Sequence, residues 1–168
     1  MDVYEAIRLR RSTRSYKPDP IPQEVLDRLL EAMRLAPSGA NRQPWQFVVV
    51  RDANIRKQLV PACMNQEQVA QAPVVIVASG RESDAAPTCF VKDLSIALTH
   101  LMLAAPSEGL GTCWIGAFEE GKVKGVLGVP EDVSVVALMT VGYPIEWPEP
   151  RERKPLSQIV RYERYSPL

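Results

Sequence analysis

Apolar residues recur along the chain at two spacings, and they predict a fold that contains both helices and strands. A first helix is predicted by a capping box, Asp2 with Glu5, and by an apolar side made of Val3, Ala6, Ile7 and Leu9. A second helix with apolar residues at helical spacing begins before Leu26 and ends at Ala36, because Pro37 stops it. Further helices are expected at about 54–64, at the nearly all-apolar segment 94–105, and at the charged segment 119–127.

Short apolar runs between these helices predict the strands of a sheet. The run 47–50, a segment between glycines at 109–118 and a final run at 133–141 each have the length and composition of a strand. The run 73–78 is apolar without a break, which is typical of a strand buried on both faces. We therefore expect it at the centre of the sheet, and we expect the polar segment 79–88 to be a brief surface connection.

Composition and charge narrow the class of protein. With 168 residues, of which 46% are hydrophobic, the chain has enough apolar material for one domain over 1–168. Its zero net charge and pI near 6.6 argue against a nucleic-acid partner. The start of the chain lacks the pattern of a signal peptide, and no apolar run reaches membrane-spanning length. We therefore expect a soluble, cytoplasmic protein without a membrane partner.

Cysteine and histidine are too few and too dispersed to predict a metal site or a catalytic triad. The three cysteines lie far apart and form no C-x-x-C pair, so they are expected to be reduced thiols. The single histidine, His100, lies in an apolar helical stretch and is expected to be structural. Any chemistry that this chain performs is therefore expected to come from a cofactor.

The segment from Arg8 to Lys17 contains five positive charges and no acidic residue. Its centre, Arg10-Arg11-Ser12-Thr13-Arg14, combines guanidinium groups that match phosphate oxygens with hydroxyl groups that add short hydrogen bonds. A bound anion explains such a cluster in a chain of zero net charge. A solvated basic face at the end of the first helix explains it as well.

Three other segments are candidates for binding or assembly. The loop 36–45 carries small and amide residues that suit the edge of a planar ring, although it also fits an ordinary helix-to-strand loop. The glycines of 109–118 leave room for a flat ligand against the backbone. The tail 143–168 is either disordered or an arm that packs on a partner subunit, and its apolar residues favour the arm.

Taken in order, several motifs resemble the FMN-dependent nitroreductase family, and the likeness extends from Tyr4 to Val160. The motifs are Arg10-Arg11-Ser12-Thr13-Arg14, Ala36-Pro37-Ser38 with Asn41-x-Gln43-Pro44-Trp45, Ala72-Pro73-Val74-Val75, Gly109-Leu110-Gly111-Thr112-Cys113-Trp114-Ile115-Gly116, and Arg151-x-Arg153-Lys154-Pro155-Leu156. The resemblance implies an α+β, three-layer fold in which a central, mostly antiparallel sheet is flanked by helices. It also implies an intertwined homodimer that exchanges its C-terminal arms, residues 143–168, and holds FMN at the interface.

The resemblance also implies roles for individual residues. The FMN phosphate would be bound by Arg10, Ser12, Arg151 and Arg153, with Arg11 alongside them. The catalytic roles would fall to Arg14, placed near the flavin N1 and C2 carbonyl, and to Gly116, whose N–H would face N5. Ile115 and Ala117 would lie beside Gly116.

Two further groups are implied at the ring. The loop residues Pro37, Ser38, Gly39 and Asn41 would reach the flavin from the second subunit, and Asn65 would contact the pyrimidine edge. Two positions depart from the pattern. Gly39 stands where many members have a second serine, and Gln68 stands where some place a lysine near the flavin carbonyl.

The function implied is an NAD(P)H oxidoreductase that reduces nitroaromatics, quinones or enones by ping-pong hydride transfer. NADH or NADPH would be a transient donor, and the small-molecule acceptor would then occupy the same space. Two alternatives stay open. One is a different reaction on the same fold, such as flavin fragmentation or reductive dehalogenation, and the other is a flavin-binding module without significant turnover.

Overall fold

A computed structural model describes residues 1–165 and residue 167, and its regular elements follow the predicted order except for two short helices, Gln68–Gln71 and Leu156–Ile159, that the sequence did not predict. The helices are α1 (Val3–Leu9), α2 (Gln23–Arg34), α3 (Ala53–Ala62), α4 (Gln68–Gln71), α5 (Phe90–Ala104), α6 (Glu120–Leu127) and α7 (Leu156–Ile159). The strands are β1 (Trp45–Val50), β2 (Val74–Gly80), β3 (Gly111–Ile115) and β4 (Ser134–Gly142). Short 3-10 turns lie at Gly39–Asn41, Glu82–Asp84 and Ala105–Glu108.

The four strands form one sheet in the order β1-β2-β4-β3, and every neighbouring pair is antiparallel. All seven residues of β2 are buried, as its apolar run predicts. Alternate residues of β2 point to opposite faces, since side chains in a strand alternate with period two. Val74, Ile76 and Ala78 join one apolar core, and Val75 and Val77 join the other.

Helices cover both faces of the sheet and give the three layers that the sequence predicts. One core lies between the sheet and α2 with α5, where Leu29, Leu94 and Leu98 are completely buried. The second core lies on the opposite face, where α3 and α6 contribute the buried residues Leu59 and Val123. The expected α+β architecture is therefore confirmed.

Strand β2 is longer than its apolar run suggests. Polar composition predicts a surface connection from Ser79 onward, but Ser79 and Gly80 are both buried in β2. The Ser79 hydroxyl donates to the Gln46 carbonyl at 2.8 Å, which satisfies its polarity inside the fold. A Cβ atom at position 80 would lie 2.0 Å from the Pro44 carbonyl oxygen, so only glycine fits there.

Helix α1 forms where its capping box predicts, since Asp2 and Glu5 bond each other's backbone N–H groups. Its apolar side, however, does not pack on this protomer. Only Ala6 is buried in α1, whereas Val3 and Ile7 are 59% and 53% exposed. Sequence periodicity indicates that a face is apolar, but it cannot tell which surface covers that face.

The C-terminal arm is also largely uncovered. Leu156, Ile159, Tyr162 and Tyr165 all have exposed side chains. The predicted arm 143–168 includes positions 166 and 168, which lie outside the described residues. Within the described part of the chain, no helix is long and apolar enough to cross a bilayer.

Candidate functional site

The two basic segments from opposite ends of the chain line one cavity of about 270 Å³. Its lining residues are Arg10, Arg11, Ser12, Arg14, Pro148, Glu149, Arg151 and Arg153. Among the residues that the structure describes, none of these five arginines forms an ion pair with a carboxylate within 4 Å. Unpaired guanidinium groups around a hydroxyl match the donors that a phosphate group accepts from. We name this cavity the clamp.

The clamp forms because the start of the tail pairs with the segment that follows α1. The backbone N–H of Ile145 donates to the Ser15 carbonyl at 3.1 Å. The Trp147 indole N–H donates to the Leu9 carbonyl at 2.8 Å, which holds the tail beside the end of α1. Both bonds bring the start of the tail to the side of the fold where Arg10 lies. Arg151 and Arg153 come next in the tail, and both line the clamp.

Arg11 differs from the other arginines of the clamp, because most of its donors are already bonded. Its Nε donates to the Pro148 carbonyl at 3.1 Å. Its Nη1 donates to the Arg8 and Arg10 carbonyls at 2.6 and 3.0 Å. Three of its five N–H groups therefore join the tail to the end of α1, which leaves Nη2 for a ligand.

Arg14 lines the clamp two residues after Ser12, the residue that bridges to strand β3. Ser12 and Thr112 form an isolated parallel bridge beside β3, and by Tyr16 the chain bridges to Pro144, beyond the Gly111 end of that strand. Burial raises the pKa of the Cys113 thiol in β3, and the positive charge of Arg14 opposes that rise. The backbone bonds of Ser12 and Thr13 to Thr112 keep the segment that carries Arg14 beside the start of β3.

Gly116 and Ala117 follow β3 and are exposed, whereas the Ile115 side chain is completely buried. Only the backbone of Ile115 can therefore face a ligand. The Gln66 side chain donates to the Ala117 carbonyl at 3.1 Å and to the Cys63 carbonyl at 2.9 Å. This amide joins the segment after α3 to the segment after β3.

Asn65 and Gln68 belong to the same cluster of amide side chains. Gln68 Nε2 donates to Gln66 Oε1 at 3.1 Å. Asn65 and the preceding Met64 have φ angles of 54° and 55°, in the left-handed region that residues other than glycine seldom occupy. Such strained backbone persists where surrounding contacts impose it, and it is frequent at ligand sites.

The loop that contains Pro37, Ser38, Gly39 and Asn41 lies elsewhere in the protomer. None of the four is among the described residues that line the clamp. Gly39 N–H donates to Asp93 Oδ1 at 3.0 Å, and a Cβ atom on Gly39 would lie 2.9 Å from Ala86 Cβ. Glycine at this position thus permits close packing against the start of α5.

The loop 37–43 is partly exposed, has strained backbone angles and is held by its own hydrogen bonds. Ser38 Oγ accepts from the Gln43 N–H at 2.9 Å, so the hydroxyl hydrogen of Ser38 stays available. Ala40, Asn41 and Gln43 all have φ between 50° and 54°. A single protomer therefore holds this loop in a fixed shape, apart from the clamp.

The sequence pattern that defines the nitroreductase family matches residues 7–73 and 64–143 of this chain. The chain belongs to the nitroreductase family. A Methanothermobacter thermautotrophicus protein whose name pairs NADH dehydrogenase with NAD(P)H nitroreductase is 36% identical over 157 residues, with 90% of this chain and 82% of that protein aligned.

Solved structures and other relatives agree with this membership. The NADPH:FMN oxidoreductase of Vibrio harveyi, solved with NAD+, superposes with a TM-score of 0.91 at 27% identity, over 99% of this chain and 79% of that one. An FMN reductase [NAD(P)H] of Bacillus subtilis is 28% identical, with 98% and 74% of the two chains aligned. A 5,6-dimethylbenzimidazole synthase of Rhodospirillum rubrum is also 28% identical, over 90% of this chain and 83% of that protein. Membership in the nitroreductase family is therefore compatible with more than one reaction.

In this nitroreductase-family chain, three residues that support the site were missed by sequence reasoning. Gln66, Trp147 and Tyr16 each form a hydrogen bond that fixes a segment of the site. Gln66 carried a weak signal, because it lies between Asn65 and Gln68 in a short run rich in amides. Trp147 and Tyr16 carried none, since their partners depend on tertiary pairing.

Proposed function

We propose that this chain binds FMN in the clamp and acts as an NAD(P)H oxidoreductase on small electrophilic acceptors. The observation that carries the proposal is the convergence of Arg10, Arg14, Arg151 and Arg153 on one cavity that also contains the Ser12 hydroxyl. A phosphate group needs several hydrogen-bond donors and positive charge, and the clamp offers both without a competing ion pair among the described residues. The residues present therefore fit the phosphate end of FMN.

Each group of the site has a distinct task in this proposal. Arg10, Ser12, Arg151 and Arg153 hold the phosphate, while Arg11 keeps the tail in place. Arg14 and the Gly116 N–H place positive charge and a hydrogen-bond donor where the ring gains electrons. Asn65 and Gln68 contact the polar edge of the ring.

The bound FMN would supply the chemistry, by accepting hydride from NADH or NADPH and passing it to an acceptor. The polypeptide binds and orients both partners in turn. It needs no side chain as a general acid or base, because solvent can supply protons. Nitroaromatics, quinones and enones are the proposed acceptors.

We also propose that two copies complete the site, because several apolar surfaces remain uncovered in one protomer. Among the described residues β1 pairs only with β2, and beside it lies a largely apolar groove of about 290 Å³ lined by Leu30, Arg34, Trp45, Phe47 and Val49. An apolar groove at the surface can hold the apolar side of a segment from another chain. The exposed apolar residues of the arm supply a matching segment from a second copy, and the second copy would also bring its loop 37–41 to the flavin.

The proposed activity is tested by the colour and reduction of the purified protein. It should be yellow with about one FMN per chain, excess NADH or NADPH should bleach it without air, and a nitroaromatic or quinone should restore the colour. As a matched pair, Arg153→Gln should weaken FMN binding, whereas Arg28→Gln should not, because Arg28 pairs with Glu108 away from the clamp. A colourless protein that takes up no added FMN contradicts the proposal.

The alternatives give different results in the same measurements. A flavin-binding module without turnover would hold FMN in equal amount but would be reduced by nicotinamides far too slowly for turnover. A fragmentation reaction would consume the flavin when the reduced protein is exposed to air. The similarity to a 5,6-dimethylbenzimidazole synthase is the reason to test for it. Product analysis after that exposure separates it from simple reoxidation.

The homodimer is tested by its mass in solution. Sedimentation should give twice the mass of one chain, and Ile159→Asp in the arm should shift it toward the mass of one. Lys154→Asp, which changes charge on the same arm without removing an apolar contact, is the control. A wild-type protein that sediments as a single chain at all concentrations contradicts this part of the proposal.

A further inference from the structure

The backbone that carries the clamp residues has little regular secondary structure to hold it. Between Arg10 and Ser15 the only buried residue is Thr13, which is 1% exposed. Its N–H donates to the Thr112 carbonyl of β3 at 2.8 Å. Its carbonyl accepts from the Tyr16 hydroxyl at 2.7 Å. Both backbone groups of Thr13 are therefore fixed, one by the sheet and one by a side chain.

The direction of these hydrogen bonds can be assigned from the chemistry of the groups. The carbonyls of Thr13 and Thr140 can only accept, and they lie 2.7 and 3.5 Å from the Tyr16 hydroxyl, so its single hydrogen points to the closer one, that of Thr13. The Thr140 hydroxyl lies 2.7 Å from the Tyr16 oxygen and must then donate to it. The competing Thr140 contact to the Cys113 carbonyl is longer, at 3.4 Å. Thr140, Tyr16 and Thr13 thus form one directed chain of hydrogen bonds.

Burial keeps this chain in a single state. Tyr16 is 5% exposed, and desolvation raises the pKa of its phenol well above the ordinary value. The hydroxyl therefore remains protonated and remains a donor across the working range of pH. A buried carbonyl that lost this donor would be left without a partner.

The position of Thr13 decides where its neighbours point. Thr13 is buried, whereas its neighbours Ser12 and Arg14 are partly buried and exposed, respectively. With Thr13 held inward against β3, Ser12 and Arg14 are directed outward, and both line the clamp. Their orientation follows from the anchoring of a residue that does not itself line the clamp.

We infer that Tyr16 is a positioning residue, whose hydroxyl holds Thr13 and so directs Ser12 and Arg14 toward the phosphate group of the proposed cofactor. This inference rests on the proposed function of the clamp. It concerns how the phosphate is recognised, and it assigns the recognition to a buried side chain on the opposite side of the backbone. Tyr16 does not contact the ligand in this inference.

The test compares two flavins in three proteins. Apo-protein of the wild type, of Tyr16→Phe and of Tyr143→Phe is titrated with FMN and with riboflavin, which is the same ring without the phosphate. Tyr143 is the control, because its hydroxyl makes no hydrogen bond in the described part of the chain. Thermal unfolding of each apo-protein reports any general loss of stability.

Tyr16→Phe should lower the affinity for FMN by up to about tenfold, because the positioning that is lost cannot contribute more than the one buried hydrogen bond that supplies it, and should lower the affinity for riboflavin much less. Tyr143→Phe should change neither the affinity for FMN nor that for riboflavin. Thr140→Val, which keeps the Tyr16 hydroxyl but removes the donor that orients it, should give a smaller loss of the same selectivity. It also serves as the test if Tyr16→Phe does not fold.

The outcomes separate this inference from the function on which it rests. If the wild type binds no FMN, the proposed function and the inference both fail. If the wild type prefers FMN to riboflavin and Tyr16→Phe keeps the same preference, only the inference is overturned. An equal loss for both flavins overturns it as well, because that result assigns Tyr16 a general structural role.

Discussion

Arg11 and Arg10 are adjacent in sequence and line the same cavity, yet the structure predicts opposite effects for their replacement. Arg11→Met removes three bonds from a guanidinium group to the carbonyls of Pro148, Arg8 and Arg10. The Arg10 side chain makes no hydrogen bond among the described residues. We expect Arg11→Met to destabilise the fold, and Arg10→Met to leave stability nearly unchanged while it weakens FMN binding.

The magnitude follows from the burial of each bond. The Arg11 bonds to Pro148 and Arg10 are partly buried, and the bond to Arg8 is exposed. A typical net contribution is about 0.5–1.5 kcal/mol for each bond, so the two partly buried bonds together contribute about 1–3 kcal/mol. In a chain of this size each kcal/mol lowers the midpoint of thermal unfolding by about 2–4 °C.

Replacing Arg10 should act mainly on the ligand. A charge-assisted hydrogen bond to phosphate contributes about 1.5–3 kcal/mol, so its loss should weaken FMN binding about 10- to 150-fold. The stability of the apo-protein should stay within about 0.5 kcal/mol of the wild type, as is usual for surface positions.

Urea unfolding of the three apo-proteins at equal concentration, together with FMN titration, measures both effects. If Arg11→Met unfolds at the same urea concentration as the wild type and loses FMN affinity as strongly as Arg10→Met, then Arg11 is a phosphate ligand and does not hold the tail. If both variants lose stability equally, the bonds of Arg11 do not hold the tail.

Three further predictions follow from single contacts. A Cβ atom at Gly111 would lie 2.2 Å from Thr13 Oγ1, so Gly111→Ala should lower the free energy of unfolding in urea titration by about 1–3 kcal/mol. Gly121 in α6 has open space around it, so Gly121→Ala should not lower the free energy of unfolding. Burial raises the pKa of the Cys63 thiol to about 11. Because the thiol ionises at a lower pH in the unfolded chain than in the folded one, the free energy of unfolding, measured by urea titration, should fall as pH rises from about 9 to 11. Cys63→Ala should reduce that fall. Arg14→Gln should lower the flavin reduction potential in a redox titration, and an unchanged potential would contradict a role for Arg14 in stabilising the reduced ring.

The sequence by itself determined the secondary structure and most of the architecture. The capping box of α1, the helical spacing of α2 and the unbroken apolar run of β2 are local patterns, and each formed the element that it predicts. The ordered motifs also predicted the family, which the family match confirmed. The roles of the individual site residues remain predictions.

Tertiary structure alone decided how the site residues divide their tasks. The arginines at positions 10 and 11 are the same residue type in one motif, but only Arg11 meets the Pro148 carbonyl, 137 residues away. Tyr16 reads as an ordinary aromatic residue until Thr140, 124 residues away, is brought to its hydroxyl. Helical and strand periods depend on neighbours in sequence, so they predict which elements form. A buried hydrogen bond depends on which distant group the fold brings to it, and no local pattern encodes that partner.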